Sequence, residues 1–255
     1  MKILILQNRM GIGDMIMFLP FIEAISKKFK TPVTILAKKN TKVEMYFNNK
    51  EIVEEIMYLE REDNKKHSGV KGFFKLVNEL KLKKFDKVFI FNSSLRYFLI
   101  SKFSGIKEVF HYPLFKKKNQ QIIEAAKEFT LKSIGEDVES TPRLFLKEQD
   151  ILKAKKDHSI DQSITNIILG IGGSGKTKRV PASIFKSFMS KVLKRSNCRF
   201  FLMTGNNIDE LKIMDEIIES EYKEYCTPLN NFTIKEILPI IPNCQIAICN
   251  DSSFS

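Results

Sequence analysis

Short apolar, β-branched runs alternate along the chain with longer segments whose apolar residues recur at helical spacing. That alternation predicts an α/β fold in which parallel strands are joined by crossover helices. Residues 2–6 read as a fully buried strand. Residues 15–29 read as one helix with Ile16, Leu19, Ile22, Ile25 and Phe29 on its inner face. Further strands are expected at 33–36, 52–58, 87–91 and 108–111, and helices at 70–82, 95–103 and 120–133.

Pro142 interrupts this series, and a charged helix over 148–157 leads into the polar stretch 158–163, which reads as a linker. A second series then starts afresh, with strands at 164–170, 199–203 and 245–249 and helices at 182–194, 209–219 and 234–241. The pattern gives two domains, 1–160 and 161–255. The last expected strand is followed by only Asn250 to Ser255, so the second domain is expected to be incomplete.

Composition narrows the classes. With 43% apolar and 28% charged residues, the 255-residue chain is neither disordered nor fibrous, and its four cysteines are too few for a disulfide-stapled scaffold. No apolar run approaches the roughly 20 residues that cross a bilayer, and the opening apolar run is too short for a secretory signal core, which makes cytoplasmic residence the expectation. The net charge of +12 is uneven: +11 falls in residues 1–160 and +1 in 161–255. Such asymmetry fits an anionic partner for the first half, and it fits equally a set of lysine-dressed solvated helices. Cys198, Cys226, Cys244 and Cys249 show no C-x-x-C spacing and are expected to be free, buried thiols. The three histidines lack metal-ligand spacing, so no metal is expected.

Three places can carry chemistry. Gly11-Ile12-Gly13-Asp14 lies between the first strand and the first helix, where glycines permit a tight turn and a helix start attracts anions. A third glycine of the dinucleotide fingerprint is replaced by Ile16. Asp14 fits either a helix N-cap or first-turn acid, which the helix dipole favours, or a catalytic acid or base. The second place is Gly170-Ile171-Gly172-Gly173-Ser174-Gly175-Lys176-Thr177, which spells a P-loop after a buried strand. Pro181, four residues beyond Thr177, disfavours a helix running on from the Gly-Lys pair and predicts an extended phosphate-binding loop instead. The third place is Asn250-Asp251-Ser252-Ser253, small and polar at a strand's carboxyl end, as a ligand-binding group or a plain turn would be.

Taken in order, these segments resemble glycosyltransferase family 9, which includes the lipopolysaccharide heptosyltransferases. The resemblance runs through the opening strand, Ile12-Gly13-Asp14, Leu19-Pro20, Gly172-Gly173-Ser174, Lys178-Arg179-Val180-Pro181 and Asn250-Asp251-Ser252. Val180 stands where the family has Trp, and Ser253 where it has Gly. The resemblance implies two facing Rossmann-like domains (the GT-B architecture) with the active site between them. It implies an inverting, metal-independent transfer without cofactor, from a nucleotide-sugar donor such as ADP-heptose to an anionic glycan or glycolipid acceptor. By position, Asp14 would be the general base, beside Gly11 and Gly13 on the acceptor side. Lys178 would neutralise the leaving diphosphate. Gly173, Ser174, Lys176, Thr204, Gly205, Asn207, Asp251 and Ser252 would hold the donor, with Glu210 an alternative to Asn207. A monomer with peripheral contact to the inner membrane and no nucleic-acid partner is expected. The competing readings are a P-loop nucleotide hydrolase or kinase at 170–177 and an inactive truncated transferase.

Overall fold

The computed structural model describes residues 1–9, 11–47, 49–114, 120–173 and 175–250. The chain forms two compact units, Met1–Leu144 and Phe145–Ser255.

The first unit is built on five parallel strands: β1 (Ile3–Leu6), β2 (Val33–Ala37), β3 (Val53–Tyr58), β4 (Lys87–Ile90) and β5 (Glu108–His111), in the order β3-β2-β1-β4-β5. Side chains alternate between two covered faces, so β1 is buried throughout, as a strand sandwiched between helices must be. Leu4, Leu6, Val88 and Ile90 pack toward α3 (Gly69–Lys83) and α4 (Leu95–Phe103). On the other face aromatic rings dominate. Phe89 stacks on Phe110 with centroids 4.6 Å apart, and Phe129 of α5 (Ile122–Ile134) meets Phe91 edge-on at 5.1 Å. Phe91 in turn meets Phe18 at 5.2 Å.

The expected single helix over 15–29 is two helices, α1 (Ile12–Ile16) and α2 (Leu19–Phe29). Pro20 has no amide hydrogen to continue a helix, and it sits in the first turn of α2, where none is needed. The periodicity of apolar residues survives the break, which is why it hid the break.

The second unit holds β6 (Thr165–Gly170), β7 (Cys198–Met203), β8 (Cys226–Pro228) and β9 (Ile246–Cys249), all parallel in the order β8-β7-β6-β9. Ile167, Leu169 and Phe200 face α7 (Ala182–Leu193) and α8 (Ile208–Ile218). Ile168, Phe201 and Met203 face α6 (Glu148–Asp157) and α9 (Ile234–Ile237), meeting Ala154 and Ile237. Helix α6 therefore belongs with this sheet and not with the first domain, where the sequence boundary at 160/161 placed it. The polar stretch that read as a linker is the turn from α6 into β6. Asp161 accepts the Ser163 N–H there at 2.8 Å, and the Asn166 amide donates to the Asp161 carbonyl at 2.8 Å. The cysteines are free, Cys198 and Cys226 buried and Cys244 and Cys249 only partly so. That corrects the expectation of burial at both ends of β9, whose Ile246 is 45% exposed.

Both sheets reverse their strand order beside the first strand of the series, between β1 and β4 and between β6 and β9. In open parallel sheets the carboxyl ends of strands flanking such a reversal form a crevice where ligands bind. All three segments singled out from the sequence follow one of those strand ends.

Candidate functional site

In the first unit, β1 runs out through Gln7-Asn8-Arg9 and turns at Gly11 into α1. Gly11 adopts φ 104°, ψ 158°. That conformation is essentially reserved for glycine, so the residue is needed for its backbone even though nothing crowds its position. Gly13 lies within α1, its carbonyl accepting the Met17 N–H at 3.1 Å. Asp14 is in the first turn of α1 with its side chain about a quarter exposed, and its carboxylate stands 3.9 Å from the Arg9 guanidinium. Gly11 occupies the N-cap position, so Asp14 is a first-turn acid of this helix and not its cap. Across the reversal, the Asn92 amide donates to Asn8 Oδ1 at 3.1 Å, tying the exits of β4 and β1 together.

In the second unit, the segment after β6 is pinned from both sides. Asn250, at the exit of β9, donates from Nδ2 to the Ile171 carbonyl at 2.7 Å, and its own N–H donates to the Gly170 carbonyl at 3.0 Å. From the β7 side comes Glu210 of α8, 7% exposed. One carboxylate oxygen accepts the Gly173 N–H at 3.0 Å, and the other accepts the Gly205 N–H at 2.8 Å. Arg179 completes the clamp, donating from Nε to the Gly173 carbonyl at 2.9 Å and from Nη1 to Asp209 at 2.7 Å. A Cβ on Gly173 would lie 2.7 Å from the Lys178 carbonyl oxygen, so only glycine lets the loop fold back this tightly.

Beyond Gly173 the backbone makes a single 3-10 turn, Lys176–Lys178, with the Lys178 N–H donating to the Gly175 carbonyl at 3.0 Å. Lys178 is exposed. Pro181 is extended (φ −67°, ψ 156°) and α7 starts after it, at Ala182. A P-loop needs a helix launched by its Gly-Lys pair, with the amides of the first turn aimed at phosphate. The break at residues 179–181 removes that geometry, and the P-loop reading with it.

Thr204 is buried and donates its hydroxyl to the Gly205 carbonyl at 2.6 Å. Asn207 caps α8, its Oδ1 accepting the Asp209 N–H at 2.9 Å. Two of the expected donor contacts thus have structural work in this loop. Ser174, Asp251, Ser252 and the side chain of Lys176 lie outside the described residues. The structure brings Gly173 and Gly205 onto one carboxylate. Asp14, Gly11 and Gly13 belong to the other unit. Sequence reasoning placed Glu210 only as an alternative to Asn207 in holding the donor and gave Arg179 no role. The lone signal for their pairing is an acidic residue one turn into the helix after Thr204-Gly205. Among the described residues, no group of three or more His, Cys, Asp or Glu side chains stands together as a metal site. Among them, too, no helix is long and apolar enough to cross a membrane.

This arrangement of two parallel sheets, each with polar loops at its reversal point, is that of the GT-B glycosyltransferases. Solved structures with the same fold include E. coli ADP-heptose LPS heptosyltransferase II, at 17% identity and TM-score 0.71, covering 99% of this chain and 80% of that one. A family 9 glycosyltransferase from Veillonella parvula matches at 17% identity and TM-score 0.70, covering 99% and 76%. E. coli heptosyltransferase WaaC with ADP matches at 14% identity and TM-score 0.68, covering 100% and 83%. No curated protein sequence matches the chain significantly. Residues 73–255 match the family described as glycosyltransferase family 9 (heptosyltransferase), and the chain belongs to that family.

Proposed function

We propose that the protein transfers a sugar, with inversion and without metal, from a nucleoside diphosphate sugar to an anionic glycan or glycolipid presented at a membrane surface. The observation that carries this reading is the placement of polar loops at the reversal points of both parallel sheets in a family 9 chain. The donor belongs to the second unit. There the Gly173 loop, held by Glu210, Arg179 and Asn250, offers a preformed cradle, and the exposed Lys178 ends the turn that follows. WaaC has been solved with ADP and with ADP-2-deoxy-2-fluoro heptose, which supports an adenosine diphosphate sugar as the donor class.

In the proposed chemistry Asp14 accepts the proton of the acceptor hydroxyl as that oxygen bonds to the anomeric carbon. The bond from that carbon to the diphosphate breaks, and Lys178 with loop amides stabilises the charge left on the departing oxygen. Asp251 and Ser252 hold the donor's sugar or phosphates. A lysine and backbone amides can do this work without a divalent cation. The basic first unit, with 27 basic and 17 acidic side chains, suits an acceptor bearing carboxylates or phosphates. The protein acts as a monomer and has no nucleic-acid partner.

The test is a thermal-shift screen of nucleotide sugars with and without chelator. An ADP-sugar should raise the melting temperature equally in both conditions, and Lys178→Ala should lose the shift. A shift that requires Mg²⁺ and depends on Lys176 while tolerating Lys178→Ala would overturn the reading.

A further inference from the structure

The outer surface of α3 and α4 is built unlike a solvated helix face. Along α3, Val70, Phe74, Asn78 and Leu82 recur every four residues and form one outward stripe, with Val70 74% and Phe74 57% exposed. Phe74 touches Phe73 at a ring distance of 5.2 Å, and Phe73 touches Phe103 of α4 at 6.0 Å. Phe103 is itself 62% exposed, so the aromatic surface is continuous from one helix to the other. Charge on the two helices is mostly of one sign, and Lys83 at the end of α3 is paired with Glu55 of β3. The two helices carry Lys71, Lys75, Lys81, Lys83, Arg96 and Lys102 against a single acid, Glu79. Glu79 is already engaged by Lys66 at 2.8 Å and His67 at 3.2 Å.

Exposed phenylalanine costs free energy in water, and two such rings flanked by Lys71, Lys75 and Lys102, which form no ion pair among the described residues, match a particular environment. The interface of an anionic bilayer takes rings into the acyl boundary and lysines onto headgroup phosphates. We propose that the α3–α4 face docks the protein on an anionic phospholipid surface, with Phe74, Phe103 and Val70 inserted and Lys71, Lys75 and Lys102 on the headgroups. Charge complementarity selects this occupant over an acidic protein, which would satisfy the lysines and leave the rings exposed. The inference deepens the proposed membrane-presented acceptor and rests on that reading for its purpose. Its test uses neither donor nor acceptor, so its failure would leave the transferase chemistry standing, and failure of the chemistry would leave the docking measurable.

The experiment is co-sedimentation of the full chain with vesicles of neutral phosphatidylcholine and with vesicles containing about a third phosphatidylglycerol. Binding to the anionic vesicles alone is expected. Each basic residue near such a surface contributes about fivefold in partitioning. The triple variant Lys71→Gln/Lys75→Gln/Lys102→Gln should therefore bind about 100-fold more weakly. Phe74→Ser/Phe103→Ser should weaken binding about tenfold, with residual binding that high salt abolishes. All five positions are exposed, and unchanged circular dichroism and melting temperature establish that the variants fold. Three results would overturn the proposal. One is absence of binding by the wild type. Another is equal binding by wild type and variants. The third is a halving of molecular mass by light scattering in the phenylalanine variant, which would make the face a contact between copies of the chain.

Discussion

Replacing Glu210 by alanine is the sharpest structural test of how the donor loop is held. Its carboxylate is the shared acceptor for the Gly173 and Gly205 amides, at 3.0 and 2.8 Å, in a side chain one-tenth exposed. Hydrogen bonds to a charged group contribute about 1.5–3 kcal/mol each, so the pair is worth about 3–6 kcal/mol before solvent intervenes. The Gly173 amide is buried, while the Gly205 bond is only partly so, and water entering the vacated space recovers part of the latter. A net loss of about 2–4 kcal/mol is expected. For a unit of this size that lowers the melting temperature by roughly 10–20 °C. Arg179 keeps its bonds to Asp209 and the Gly173 carbonyl, so the loop loosens and does not detach. Glu210→Gln keeps one acceptor oxygen and turns an NH₂ toward the other amide, so it should cost about half or more of the alanine effect. Scanning calorimetry, with ADP binding measured in parallel, reads both quantities. The reasoning fails if Glu210→Ala melts within about 2 °C of wild type and binds ADP equally well.

Gly11→Ala forces a side chain into φ 104°, ψ 158° and should cost about 1–3 kcal/mol. Chemical denaturation would read that cost, and a neutral result would mean the turn is redrawn without penalty. His67 is buried, with Nδ1 accepting the Glu60 N–H at 3.0 Å and Nε2 facing Glu79. Burial outweighs the Glu79 carboxylate and holds its pKa below the usual histidine value. Its contribution to stability is therefore fully present above the ordinary value of about 6.5 and is lost as pH falls from there through the depressed folded value, at up to about 1.4 kcal/mol per pH unit. His67→Gln should flatten that part of a stability-against-pH curve, and an unchanged slope would exclude this origin. Burial pushes the Cys226 thiol up to about 12 and Cys244 to about 11, so neither should react with iodoacetamide in the native protein at pH 8.

Much of the fold is legible in the chain because buried parallel strands write themselves as unbroken apolar runs. Strand β1 is such a run, bounded by Lys2 and Gln7, and Phe200 to Met203 form another inside β7, beside Arg199. Strand β8 is invisible by the same logic. It has three residues, one of them Pro228, which an edge strand tolerates and a periodicity cannot register. The misplaced boundary has a similar cause. A charged helix such as α6 shows few apolar positions, and nothing local says which sheet Ala154 will meet. The turn at Gly11 and the helix break at Pro181 are legible because backbone constraints are local, whereas the loop before Pro181, expected to be extended, closes a 3-10 turn at Lys176–Lys178. The Glu210 clamp escapes because it joins residues 37 positions apart through backbone amides, which no side-chain motif encodes.

Asp14→Asn, assayed for single-turnover transfer alongside donor binding, isolates the proton-accepting role assigned to Asp14. The exchange removes a proton acceptor while keeping shape and hydrogen-bonding capacity. Transfer should fall at least about 100-fold, the usual worth of a general base, with the donor's dissociation constant unchanged. Transfer at the wild-type rate, or a loss confined to donor affinity, would mean that Asp14 is not the base.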